Sequence, residues 1–235
     1  MWSGPRNLST AMMRSFGNRS DCAVIDEPFY ASFLRISGAD HPMRDEVVRS
    51  HESDWRRVAD VLAGPAPGGK ALFYQKHMTH HMLPEIGLGW MAACKHAFLI
   101  RHPARVLASY AAKREAVSLF DIGFTQQERL FAQVTDMTGN MPPVVDADAI
   151  LAAPRAVLSG LCQALGIAFE ESMLAWPPGP RASDGVWARH WYESVNRSTG
   201  FGNPSPLPVL QDPALREIAA AALPIYRRLA AHALR

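Results

Sequence analysis

The chain has 235 residues, 48% hydrophobic and 20% charged. That balance argues against disorder, and the length suits a single globular domain over residues 1–235. A formal net charge of +2 excludes a strong global field for polyanions, so nucleic acid is not an expected partner. Cys22, Cys94 and Cys162 are too few and too far apart for a disulfide scaffold. No apolar run reaches the roughly 18 residues of a membrane span, and the first residues lack the basic-then-apolar pattern of a leader. The expectation is a cytoplasmic protein without a membrane span. Of its 24 basic residues, 20 are arginine. A GC-rich coding sequence supplies such a surplus by itself, yet arginine is also the fork-shaped donor that fits phosphate and sulfate oxygens.

In chain order, Met1 and Trp2 leave only a stub of strand before the turn Ser3-Gly4-Pro5. A helix is predicted over Ser9 to Phe16. Short apolar runs at Ala23 to Ile25, Ala71 to Tyr74, Ala97 to Ile100 and Val144 to Val145 read as buried parallel strands. Further helical patterns cover Glu46 to Leu62, Pro103 to Lys113, Gln126 to Met137, Pro154 to Leu165 and Pro213 to Leu234. Pro103, Pro154 and Pro213 each stand where a first helical turn begins and a missing N–H costs nothing. Strands alternating with helices predict an α/β fold with a mainly parallel sheet.

Two segments have the pattern of anion sites. In the first, the strand stub and turn lead straight into the helix at Ser9, whose free N–H groups and dipole suit a phosphate. Arg6, Asn7, Ser9 and Thr10 stand around it, although an ordinary helix capped by Ser9 or Asn7 has the same pattern. The segment lacks the Gly-Lys-Ser/Thr ending of an ATP-binding loop. In the second, Arg101 ends the strand Phe98-Leu-Ile at the carboxyl edge where open α/β sheets bind ligands, and Ser109 follows on the next helix. A simple ion pair at Arg101 is the plain alternative.

Together these segments resemble the sulfotransferase superfamily, whose first motif is usually Pro-Lys/Arg-Ser-Gly-Thr-Thr/Ser. Pro5-Arg6-Asn7-Leu8-Ser9-Thr10 occupies that frame, with Leu8 in place of the usual glycine. The second motif, an Arg at a strand end with a Ser eight residues later, is matched by Arg101 and Ser109. Pro143-Val-Val-Asp-Ala-Asp148, Pro154-Arg155, Leu161 to Gly166 and Phe169 to Leu174 look like the family's strand, acidic turn and following helix. Arg197-Ser-Thr-Gly200 is similar in place to its glycine-containing loop. The resemblance implies a P-loop NTPase-like, three-layer α/β fold with helices flanking a parallel sheet. It implies metal-independent transfer from 3′-phosphoadenosine 5′-phosphosulfate to a small-molecule or carbohydrate hydroxyl. Arg6, Asn7, Ser9 and Thr10 would hold the 5′-phosphosulfate, and Arg101 and Ser109 the 3′-phosphate, with Arg197 beside it. A nucleotide kinase-like phosphotransferase and an inactive nucleotide-binding protein of the same fold are the alternatives.

Sulfuryl transfer needs a base for the acceptor's proton. Glu27 follows a strand end in Asp26-Glu-Pro-Phe-Tyr30, similar to a Glu-x-x-Phe context in some family branches, and is the favoured base. His77 is the second candidate, with Lys76 beside it as a cation for the leaving phosphate. As neighbours on a strand, these two point to opposite faces. His77, His80 and His81 also suggest a metal, but their spacing suits zinc only on a helix, and no metal is expected. Trp187 to Tyr192 reads either as core or as a lid over a ligand. The acceptor is expected against Phe29 to Trp55 and Ser118 to Thr125, and neither loop reveals its identity. Oligomeric state is not legible.

Overall fold

The computed structural model describes residues 1–112 and 116–234. In chain order these form β1 (Trp2–Ser3), α1 (Ser9–Gly17), β2 (Cys22–Asp26), α2 (Tyr30–Ser37), α3 (Arg44–Ser50), α4 (Trp55–Ala63), β3 (Leu72–Met78), β4 (Phe98–Ile100) and α5 (Pro103–Ala111). Next come α6 (Phe124–Thr138), β5 (Val144–Asp146), α7 (Ala147–Ala152), α8 (Pro154–Leu165), α9 (Ala188–Trp191), α10 (Glu193–Asn196) and α11 (Pro213–Ala230). Strands alternate with helices and pair in parallel, so the chain is of the α/β class.

The chain divides into two compact units. The first comprises Met1–Ser9, His96–Phe169 and Gly202–Arg235. Its strands run in the order β1, β4, β5, with Trp2 opposite Phe98 and Leu99 opposite Val145. Phe98, Leu99, Ile100, Val144 and Val145 are fully buried, which explains why they form a continuous apolar run. β1 spans two residues and is held by backbone pairing and by the Trp2 indole N–H donating to His96 at 3.1 Å. Helix α11 lies against α5 and α6.

The second unit comprises Thr10–Lys95 and Glu170–Phe201. Here β2 and β3 run parallel over five registered pairs, from Cys22 opposite Leu72 to Asp26 opposite Lys76. The core is rich in aromatics, including Phe16 stacked on Tyr74 at 4.4 Å.

Three expected elements change shape. The helix foreseen over Glu46 to Leu62 is two, α3 and α4, because His51 turns extended and the Asp54 carboxylate accepts from the Arg56 N–H at 3.0 Å, starting a new helix. The strand foreseen over Ala71 to Tyr74 runs on to Met78 through polar residues that are buried. Helix α11 stops at Ala230, four residues short of Leu234. The expected end of α5 at Lys113 lies outside the described residues. Elsewhere the proline starts of α5, α8 and α11 stand as expected, and α5 and α11 are capped by His102 and Asp212.

The turn between β1 and α1 is tight. A Cβ on Gly4 would stand 2.5 Å from the Ile122 carbonyl oxygen, a contact that cannot be relieved by a side-chain movement. Gly4→Ala should therefore lower stability by about 1–3 kcal/mol, read as a fall in the urea or thermal unfolding midpoint.

Candidate functional site

In the first unit, the β1–α1 turn holds two non-glycine residues in the left-handed region, Arg6 at φ 62° and Leu8 at φ 65°. Such conformations cost free energy for residues with a Cβ and persist where the surroundings impose them. Asn7 lies between them, fully buried, its Nδ2 donating to the Leu99 carbonyl at 3.2 Å, while its Oδ1 is buried without a partner. Ser9 is buried at the first turn of α1, and Thr10 follows half-buried.

The turn aims the Arg6 side chain at α5. Its Nε donates to Ser109 Oγ at 2.8 Å, and Arg101 Nη1 donates to the Arg6 carbonyl at 2.7 Å. Residues about 100 positions apart in the sequence thus form one cluster. Neither Arg6 nor Arg101 has a carboxylate partner among the described residues. Arg101 Nε is buried without a partner. Burial lowers the pKa of both guanidiniums; for Arg101, Asp148 opposes this while Arg105 and Arg6 add to it. By contrast, Arg105 is committed: its Nε pairs with Asp148 at 2.8 Å, and its remaining nitrogens bond Ser205 and Pro206. Two half-buried guanidiniums thus stand together beside Ser109, without a carboxylate partner among the described residues.

In the second unit, the end of β2 and the adjoining part of β3 build an ionised cluster. The parallel register sets Asp26 opposite Lys76. Lys76 Nζ donates to Asp26 Oδ1 at 2.9 Å, Glu27 Oε1 at 2.7 Å and Tyr192 Oη at 2.5 Å. An ammonium has three hydrogens, and all three are used. The Tyr192 hydroxyl donates to Asp26 Oδ2 at 2.7 Å and accepts from the Trp187 indole N–H at 3.2 Å. Lys76 and Asp26 side chains are each 1% exposed, whereas that of Glu27 is 12% exposed. Glu27 also has positive φ, at 42°. Burial, opposed by Lys76 and reinforced by Asp26, raises the Glu27 carboxyl above the ordinary range. The Lys76 ammonium is held well above its usual value: burial acts against this, and Asp26 and Glu27 outweigh it.

His77 points away from Lys76, as strand alternation requires. It is buried between Phe29 and Trp90, with ring centroids 5.9 and 5.3 Å away, and its Nε2 lies 3.2 Å from Gln75 Oε1. His80 and His81 follow in a short 3-10 turn, so His77 and His81 do not share a helical face. Burial leads the other causes in holding His81 well below the usual histidine value. Among the described residues no group of three or more His, Cys, Asp or Glu could hold a metal ion. Arg197 stands exposed and pairs with Glu193 one helical turn earlier, at 2.9 Å. Trp187 and Tyr192 are core residues.

Sequence reasoning missed Asp26 and Tyr192 as members of the Glu27 cluster. The adjacency of Asp26 to Glu27 was a visible signal, whereas Tyr192 arrives from 166 residues away and left none.

The family model for a sulfotransferase domain matches residues 1–233. Two curated relatives from Arabidopsis thaliana, titled branched-chain-amino-acid aminotransferase-like proteins 1 and 2, are 40% and 37% identical over 232 residues. The match covers 98% of this chain but 41% of each relative, so the chain spans about two-fifths of their length. Among solved structures, the sulfotransferase domain of the curacin biosynthetic pathway matches at TM-score 0.54 and 18% identity, over 94% of this chain and 95% of that one. The sulfotransferase domain of the Synechococcus PCC 7002 olefin synthase matches at 0.50 and 16%, over 94% and 92%.

The raised Glu27 pKa has a consequence for stability. Between the ordinary value of 4.5 and the higher folded value, the native state binds more protons than the unfolded chain, so this group's contribution weakens stability as pH rises. Glu27→Gln removes that slope. Urea unfolding at steps between about pH 4 and 7 should show the variant gaining on the wild type as pH increases.

Proposed function

The chain belongs to the sulfotransferase domain family, and from that premise we propose that it moves a sulfuryl group from 3′-phosphoadenosine 5′-phosphosulfate to a hydroxyl of a small-molecule or carbohydrate acceptor. The observation that supports the donor assignment is the cluster of Arg6, Arg101 and Ser109, in which neither guanidinium has a carboxylate partner among the described residues. Arg6, Ser9 and Thr10 hold the 5′-phosphosulfate, within the turn that Asn7 anchors. Arg101 and Ser109 hold the 3′-phosphate, and Arg197 is an outlying contributor. Two phosphate groups supply the negative charge that these cations lack, through charge-assisted and bidentate bonds.

In the transfer, the acceptor oxygen forms a bond to sulfur. The bond from sulfur to the bridging phosphate oxygen breaks, and its electron pair leaves with the bisphosphate. The acceptor's proton goes to Glu27. Glu27 is favoured over His77 because its side chain keeps 12% exposure, more than Lys76 or Asp26, while the His77 ring is enclosed by Phe29 and Trp90. A raised pKa brings a carboxylate closer to the range in which a general base is effective. The chemistry is positioning plus charge stabilisation and asks for no metal.

The plant relatives carry aminotransferase-like titles. Imine-forming chemistry needs a lysine amine free to react. Lys76, the lysine buried in this cluster, is an ion-paired ammonium and not such an amine.

Calorimetry with 3′-phosphoadenosine 5′-phosphate tests the donor assignment, and absence of binding at high micromolar ligand would refute it. Arg101→Ala should weaken that bisphosphate by about tenfold or more, the worth of a charge-assisted hydrogen bond. It should weaken adenosine 5′-phosphate much less; equal losses would remove Arg101 from the 3′-phosphate. Incubation of the labelled donor with alcohols, phenols and sugars then reports the acceptor class.

A further inference from the structure

Lys76 enters the sequence reading as a cation for the leaving phosphate, and its hydrogen bonds point to a different task. All three donors of its ammonium end on Asp26, Glu27 and Tyr192. None is left for a ligand unless one of these bonds breaks. The Tyr192 oxygen is equally committed, donating to Asp26 and accepting from Lys76 and Trp187. Asp26 is closed on its other side by the Gly185 N–H, 3.3 Å from Oδ2. Glu27 is the most exposed member of the cluster, at 12% of its side chain.

We propose that Asp26, Lys76 and Tyr192 are positioning residues for Glu27, fixing its carboxylate and setting its ionisation, with Lys76 serving the cluster and not the leaving group. Two carboxylates share one cation, so the cluster carries one excess negative charge when all three are ionised. Asp26, at the buried end, takes the Tyr192 hydroxyl and the Gly185 N–H as well as the ammonium. Glu27, at the open end, is left with the more dispensable charge. Glu27 has left-handed backbone, and its N–H is tied to the Lys76 carbonyl at 2.9 Å. The charged or titratable groups facing Glu27 are Lys76 on β3, Asp26 on β2 and Tyr192 from between α9 and α10. His51, ahead of α4, faces Asp26 and packs on Trp187 at 4.8 Å.

The inference rests on the sulfotransferase reading for the identity of the proton that Glu27 accepts. Its test uses neither donor nor acceptor, so failure here is distinct from failure of bisphosphate binding. The full chain is labelled with 13C-glutamate, and the Glu27 carboxyl resonance, identified by its loss in Glu27→Gln, is titrated by NMR. Asp26→Asn keeps the shape, removes the like charge and releases Lys76 to Glu27, so the Glu27 midpoint should fall by about one pH unit. Tyr192→Phe removes the hydroxyl that shields Asp26, so the midpoint should rise by about one unit. A residue of merely structural importance would lower the unfolding temperature and leave both midpoints where they are. Should Tyr192→Phe not fold, Asp26→Asn decides alone. A midpoint in Asp26→Asn equal to or above that of the wild type overturns the proposal.

Discussion

One ammonium organises the chemistry of the second unit. Lys76 is buried with two carboxylates and a phenol, and its desolvation is tolerable only because each of its hydrogens meets an oxygen. Removing one partner from such a group typically costs about 3–5 kcal/mol, so the ends of β2 and β3 and the Trp187–Tyr192 segment are locked together. The same bonds explain why β3 continues as a strand through Gln75, Lys76 and His77, where the apolar pattern has already ended. Gln75 donates to the Leu62 carbonyl at 2.8 Å, and Lys76 has its cluster. Polar residues are held in the strand because their partners are built in.

The two units carry opposite residual charges. The second holds two carboxylates against one lysine and is short of a cation. The first holds Arg6 and Arg101 with no carboxylate partner among the described residues. A formal net charge of +2 for the whole chain hides both deficits, which is why composition alone located neither. Local neutrality is the better guide: where a protein half-buries a charge and provides no partner, an external group is the economical completion.

Much of the fold was legible because its signals are local. Pro103, Pro154 and Pro213 mark helix starts, and Phe98-Leu-Ile100 marks a doubly covered strand, each from a few adjacent residues. The break between α3 and α4 was not, since Glu46 to Leu62 keeps a helical period and the Asp54 cap prevails over it. The cluster of Arg6, Arg101 and Ser109 was legible in its members, because strand end, turn and helix start leave a sequence trace. Its internal wiring was not: nothing in the sequence says that Arg6 reaches Ser109 or that Arg101 holds the Arg6 carbonyl. The partnership of Glu27 with Lys76 was hidden for the same reason, being set by strand register and not by spacing.

Leu8 takes up a backbone conformation that ordinarily favours glycine. The frame Pro5 to Thr10 has leucine where the resembling family usually has glycine, and glycine is the residue for which the left-handed region is free of cost. Leu8 nonetheless lies at φ 65°, in that region. Its local preference is for the opposite hand by about 1–2 kcal/mol, so the turn is imposed from outside. The Asn7 bond to Leu99, the Arg101 bond to the Arg6 carbonyl and the close fit of Gly4 against Ile122 are the constraints that can impose it. A glycine in this frame supplies the turn through freedom; here it is supplied through anchorage. The path of the turn into α1 therefore depends on Asn7 and Arg101 as well as on residue 8.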